Sequence, residues 1–340
     1  MAINLHSDTQ TQPTAAMRAA MAGAVVGDEQ RGLDPTTALL EERVAELLGH
    51  EAAVFLPSGT MCNAIAMRLH IGPGGDQVLL DCAAHPIVAE AGGPAALSGA
   101  TLTPLWGERG VFSAQQVEEA LQVDGDRYAP RTRLVSVEQT TNIGGGRVWS
   151  PAQIAEVLAV ARRHGLRTHL DGARLLNAVV ASGVPADTYA TGFDTAWIDF
   201  SKGLGAPVGA VLAASRELID EAWRHKQMMG GAMRQSGILA AACLHALDHH
   251  VERLAADHAN ARALAEGLAG IPGVEIDPET VETNIVIFEV TDAPLFVERV
   301  SGEVDLLPLG PRMVRAVTHL DVDRAQIERA LEAFEAAAQP

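Results

Sequence analysis

Short apolar runs and longer amphipathic stretches alternate along the first two-thirds of the chain. Residues 52–56, 77–80, 134–137, 168–170, 195–199 and 209–213 form apolar runs of strand length. Between them, residues 60–70, 113–121 and 151–164 carry apolar side chains at helical spacing. Alternation of this kind predicts an α/β fold with a mainly parallel sheet covered on both faces. From residue 240 to 268 the pattern is continuously helical and predicts one long connecting helix. Beyond residue 271 it changes to a strand at 284–290, a helix at 294–300, a strand at 312–316 and a last helix at 323–336. The change predicts a smaller second lobe that begins near residue 245.

Length agrees with two lobes, because a single core seldom grows past about 250–300 residues and this chain has 340. With 48% hydrophobic residues it can bury a sizeable core. A net charge of −18 argues against nucleic acid or an anionic membrane as the main partner. The first 20 residues are mixed and polar, and no run of about 18 uncharged apolar residues occurs. The three cysteines, Cys62, Cys82 and Cys243, are scattered without metal-type spacing and are expected as buried, reduced thiols. Together these features predict a cytoplasmic protein. His249, His250 and His258 fall among Glu252 and Asp257 on the helical stretch and are expected on a solvated face, so no metal site is expected.

The candidate chemistry follows the strands directly, where ligands of parallel sheets gather. Lys202 ends an apolar run and is followed by Gly203-Leu204-Gly205. It is placed to meet a carbonyl compound, although a solvated loop lysine fits the same residues. Asp171 ends another run and opens Asp171-Gly172-Ala173-Arg174. A carboxylate there can sit under a heteroaromatic nitrogen, and Arg174 can reach the O3′ oxygen of a cofactor with such a ring, or a substrate carboxylate, as a bidentate donor. A structural Asp–Arg pair is the alternative. Lys202 and Asp171 together suggest a lysine Schiff base to pyridoxal 5'-phosphate, with the aspartate as partner of the ring nitrogen. Pro57-Ser58-Gly59-Thr60 joins a strand to a helix. Its cap serine and glycine suit a phosphate at the positive helix end, and equally an ordinary capped helix. His85, just past a strand, can stack on a flat ring or move protons, or simply be a satisfied polar residue. Arg234, after Gly230-Gly231, can clamp a phosphate, and Arg315 is a candidate carboxylate fork.

The blocks Leu5-His6-Ser7-Asp8-Thr9, Val26-Gly27-Asp28, Asp34-Pro35-Thr36, Leu56-Pro57-Ser58-Gly59-Thr60 with Asn63, and Glu90-Ala91-Gly92-Gly93 occur in this order. They continue with Leu170 to Arg174, Ser201 to Gly209, Met233 to Leu239, and Arg315 with Thr318-His319-Leu320-Asp321. In this set the chain resembles the low-specificity L-threonine aldolases of the fold-type-I pyridoxal-phosphate enzymes, nearly end to end. The resemblance implies a large cofactor-binding domain over residues 1–245, including an N-terminal arm and a mainly parallel seven-stranded sheet. It implies a smaller C-terminal α+β domain over residues 246–340. The activity implied is cleavage of the Cα–Cβ bond of β-hydroxy-α-amino acids to glycine and an aldehyde. β-Elimination, or transfer of the aldehyde to another acceptor, is the alternative. Lys202 would carry the Schiff base, Asp171 would pair with the pyridine nitrogen and His85 would stack on the ring. Ser58, Gly59 and Thr60 would bind phosphate, and Arg234 would reach a phosphate across a subunit interface of a homodimer or homotetramer. Ser7, Arg174 and Arg315 would hold the substrate carboxylate.

The departures from the family lie on the substrate side. Arg31 stands where the family has tyrosine and Leu33 where it has an acid. Thr141 and Tyr128 stand where histidines are usual, and Ile87 replaces an aromatic residue. His85 is then the expected proton acceptor for the β-hydroxyl. An added guanidinium at position 31 suggests a second anionic group on the substrate, unless Arg31 pairs with Glu29 or Asp34.

Overall fold

The computed structural model describes residues 2–72, 74–122 and 125–338. Seven strands form one sheet: β1 (Ala52–Leu56), β2 (Gln77–Asp81), β3 (Thr101–Leu105), β4 (Thr132–Glu138), β5 (Arg167–Gly172), β6 (Thr195–Asp199) and β7 (Ala210–Ala214). Their spatial order is β1-β7-β6-β5-β4-β2-β3. The pairs from β6 through β5, β4 and β2 to β3 are parallel, whereas β7 runs antiparallel to β6 and β1. The expected fold class is the observed one.

Alternation within the strands supplies a core on each face. Ala53 and Phe55 join one cluster with Val211, Ala213, Ala196 and Ile198. Val54 and Leu56 join another with Ala210, Leu212 and Trp197. Strands buried on both faces read as unbroken apolar runs, which is why six of the seven were legible. The seventh, β3, is an edge strand, half-exposed along most of its length and interrupted by Pro104. An edge tolerates proline because the outer side needs no ladder donor. The same features remove the apolar signal.

A three-stranded antiparallel sheet holds β8 (Ile285–Glu289), β9 (Leu307–Pro308) and β10 (Met313–Val317) in the order β9-β10-β8. Its core includes Val286, Phe288, Val314 and Phe334, and also Ile3 and Leu5 from the N-terminal segment. Ile3 and Asn4 pair in parallel with Val304 and Asp305.

The expected single helix over 240–268 is two helices, Gly237–His249 and Leu254–Ala269. At the break the His250 imidazole is 2.7 Å from the Leu204 carbonyl, which ties the break to the Lys202 loop. The expected solvated face is corrected in part: His249 and Glu252 are exposed as expected, but three of its residues are not. His250, Asp257 and His258 are buried. Asp257 holds Arg253 in an ion pair, and the His258 ring lies 2.9 Å from the Asn177 amide oxygen. Leu204 and Asn177, distant in sequence, meet this face, which local spacing could not reveal. Cys62 and Cys243 are buried free thiols, whereas Cys82 is half-buried.

Candidate active site

Strands β2, β4, β5 and β6 run the same way, so the residues that follow them meet at one edge of the sheet. Asp171 is 2% exposed at the end of β5. One of its oxygens accepts from the Ala173 N–H at 3.0 Å and the other from the Asn63 amide at 2.8 Å. Burial pushes its carboxyl above the ordinary range, while Lys202 and Asn63 oppose the shift. Lys202 Nζ lies 2.9 Å from Asp199 Oδ2, three residues back on β6. Asp199 in turn accepts from the backbone and hydroxyl of Ser201. The Lys202 carbonyl accepts from Thr11 Oγ1 at 2.8 Å, which pins the loop from the N-terminal arm.

Helix α1 (Gly59–His70) starts beside this lysine. Ser58 caps it, accepting from the Met61 N–H at 3.2 Å. Ser58 and Thr60 are exposed at its positive end, and Gly59 is buried. A Cβ at Gly59 would lie 2.2 Å from the Trp197 ring, so only glycine lets the helix end approach β6. The site therefore offers an amine and a buried carboxylate from adjacent strands, with an anion cradle packed on Trp197 of β6. That set fits pyridoxal phosphate.

His85 follows β2. Its backbone N–H donates to Glu138 and its Nδ1 lies 2.9 Å from Glu90 Oε1. The Glu90 bond raises the His85 pKa against the effect of burial. Glu138 is itself buried, which with the charge of Asp171 lifts its carboxyl to about 7. Its second oxygen accepts from the Asn142 N–H at 2.6 Å, and Asn142 Oδ1 accepts from Arg315 at 2.7 Å. Arg315 also donates to the His6 carbonyl. Its Nε is buried without a partner, and burial together with the nearby Arg174 charge lowers its pKa to about 10.

Arg174 is buried and doubly bonded to Asp8, at 2.8 and 2.6 Å. Burial alone would raise the Asp8 pKa, but the Arg174 charge and hydrogen bonds hold it down at about 2. Ser7 is buried next to this pair, and its hydroxyl accepts from Thr9.

Lys202, Asp171, His85, Arg174, Arg315 and Ser7 thus come together with the cradle residues Ser58, Gly59 and Thr60. Arg31 and Arg234 lie elsewhere, on a loop pair joined by the Glu29 N–H to the Arg234 carbonyl. The Arg234 side chain is exposed and 3.5 Å from Asp28. Arg31 is exposed and makes no ion pair with the described residues. Glu29 bonds Lys226 and the Met233 N–H, and Asp34 accepts from three backbone N–H groups. Neither acid neutralises Arg31. Tyr128 is fully exposed, and Thr141 Oγ1 is buried without a partner. Asp8, Asn63, Glu90, Glu138, Asn142 and Asp199 were given no role by sequence reasoning. Asp8, Asn63 and Glu90 were visible only as parts of motifs.

A parallel sheet that gathers a lysine, an aspartate and a capped helix end at one edge defines a fold-type-I α/β protein. The threonine aldolase of Leishmania major shares the fold with a TM-score of 0.84 at 20% identity, covering 99% of this chain and 100% of that one. A putative L-allo-threonine aldolase of Listeria monocytogenes shares it with a TM-score of 0.81 at 19% identity, covering 98% and 96%. In sequence, a probable low-specificity L-threonine aldolase of Arabidopsis thaliana is 39% identical over 98% of this chain and 96% of its own. The low specificity L-threonine aldolase of Escherichia coli is 40% identical over 96% of each. The beta-eliminating lyase family matches residues 4–292, and the chain belongs to that family.

Proposed function

We propose that this protein cleaves the Cα–Cβ bond of β-hydroxy-α-amino acids to give glycine and an aldehyde. One observation carries the reading: Lys202, ion-paired to Asp199, stands at the same sheet edge as the buried Asp171 and the Gly59 cradle. Pyridoxal phosphate, when bound, supplies the sink for the electron pair released as the carbon–carbon bond breaks. Lys202 would hold its aldehyde, Asp171 its ring nitrogen, His85 its ring face, and Ser58, Gly59 and Thr60 its phosphate.

The protein's own groups do the rest. Arg315 and Arg174 hold the amino acid carboxylate beside Ser7, which fixes the Cα substituents. Asn142 and the His6 carbonyl orient the Arg315 guanidinium, leaving its buried Nε to be satisfied by the carboxylate. His85 accepts the β-hydroxyl proton. Its Nδ1 is committed to Glu90, so Nε2 is the free base. Thr141 cannot act as a base at neutral pH, and Tyr128 points into solvent.

The test is incubation of the purified chain with L-threonine, L-allo-threonine and phenylserine, followed by product analysis. Glycine plus aldehyde supports the reading. Ammonia plus a keto acid replaces it with β-elimination, and trapping of the aldehyde carbon by an added acceptor replaces it with transfer.

A second, narrower reading concerns Arg31, whose neighbouring acids are both committed elsewhere. Carried with Arg234 to the site of a second copy, its guanidinium would favour substrates with an acidic side chain, such as 3-hydroxyaspartate. If Arg31→Tyr leaves turnover of that substrate unchanged, the narrower reading is wrong.

The working unit is proposed to be a homodimer or larger homo-oligomer. Val25, Val26, Leu33, Leu39, Met228 and Ile238 are between 40% and 69% exposed on the elements around Arg31 and Arg234. Such a patch suits a second copy, which would carry Arg234 to the partner's phosphate site. The division into two domains near residue 245 is proposed on the separate apolar cluster of the C-terminal sheet, which takes in residues from Ala261 onward, while Ala246 and Leu254 pack with the large sheet. A cytoplasmic location is proposed on the reduced, buried thiols of Cys62 and Cys243. Among the described residues, no helix is long and apolar enough to cross a membrane.

A further inference from the structure

Behind the site lies a buried hydrogen-bond chain whose direction is fixed by chemistry. The Trp197 indole N–H donates to Asn63 Oδ1 at 2.9 Å. An indole nitrogen can only donate, so the Asn63 oxygen must face it and the NH2 group must face the other way. His169 Nε2 lies 3.1 Å from the same oxygen and therefore donates as well. Its Nδ1 then accepts from Thr195 Oγ1 at 2.7 Å, and Thr195 accepts from His70 Nε2 at 2.9 Å. Burial lowers His169 to about 3 and His70 to about 4, so both rings are neutral at working pH.

The other side of the amide meets two acids. Asn63 Nδ2 is 2.8 Å from Asp171 Oδ2 and 2.8 Å from Glu90 Oε1, one for each of its hydrogens. The same Glu90 oxygen takes His85 Nδ1. An amide that donates to a carboxylate oxygen draws charge from it, so His85 shares an acceptor already weakened by Asn63.

We propose, resting on the functional reading above, that Asn63 is a positioning residue: by donating to Asp171 and to the Glu90 oxygen that His85 also uses, it draws charge from both acceptors and holds down the proton affinity of His85. The groups whose charges bear on His85 are Glu90, Asp171, Lys202 and Glu138, and Glu138 also takes its backbone N–H. Only the first two are joined through Asn63.

The experiment is an NMR titration of the His85 ring in the full-length protein, wild type against Asn63→Asp and Asn63→Ser. Asn63→Asp keeps acceptors for Trp197 and His169 and withdraws the amide donors. Asn63→Ser can donate to only one carboxylate. The expected result is a rise of about one unit in the His85 pKa for Asn63→Asp and a smaller rise for Asn63→Ser. The acid limb of kcat/KM moves up with it. If either folded variant loses thermal stability while His85 titrates within about 0.2 units of wild type, Asn63 only packs the core and the proposal fails. The ring titration needs no cofactor. A wild type that binds no pyridoxal phosphate would overturn the functional reading and leave this comparison intact.

Discussion

His85 and Asp8 show how single partners set the chemistry of single residues. Because Glu90 raises the His85 pKa, the base becomes neutral only above the ordinary histidine range. Activity is expected to rise with pH through that raised value. Glu90→Gln removes the anion, so the acid limb of kcat/KM should move to lower pH. His85→Asn should lower kcat/KM by about 10²- to 10⁴-fold, the usual share of a general base; full activity in that variant would show that another group takes the proton. For Asp8 the folded pKa is about 2 against an ordinary 3.8. A depressed carboxyl contributes stability that is present above the unfolded value and lost as pH falls through the folded one. The shift corresponds to about 2 kcal/mol, lost between about pH 4 and pH 2. Asp8→Asn leaves Arg174 as a buried cation without its anion. The expected cost is about 3–5 kcal/mol in denaturant unfolding at neutral pH, and a loss below about 1 kcal/mol would mean that water reaches Arg174.

At the scale of elements, the contact between α1 and β6 constrains the site. Gly59→Ala drives a methyl into the Trp197 ring. An expected loss of about 1–3 kcal/mol in thermal unfolding should accompany weaker cofactor retention. Unchanged values for both would show that the helix end can retreat without consequence. The same element explains what the sequence made legible. Ser58-Gly59-Thr60, Asp171 and Lys202 were readable because each follows a doubly buried strand, whose apolar run marks where the sheet edge falls. Asn63, Glu90 and Asp8 were not, because their partners are far away in the chain and only the sheet order brings them together. The break between Gly237–His249 and Leu254–Ala269 was hidden for a similar reason. No glycine or proline marks it, and what occupies the break is a bond from His250 to the distant Leu204 carbonyl.

For the whole molecule, the exposed apolar residues near Arg234 make association a measurable expectation. Leu33→Glu combined with Val25→Glu should shift the sedimentation coefficient toward that of a monomer. Activity should fall with it, because Arg234 would no longer reach a neighbouring copy. Undiminished activity in a dissociated variant would place the whole site within one chain. The N-terminal arm crosses between the molecule's two cores. Ile3 and Leu5 sit in the C-terminal cluster, Asp8 grips Arg174 and Thr11 holds the Lys202 loop. During synthesis Ile3 and Asn4 are made about 300 residues before their β-partners Val304 and Asp305. A ribosome-bound nascent chain that contains Lys202 but not yet Val304 therefore lacks the pairing that anchors the arm clasped over the lysine loop.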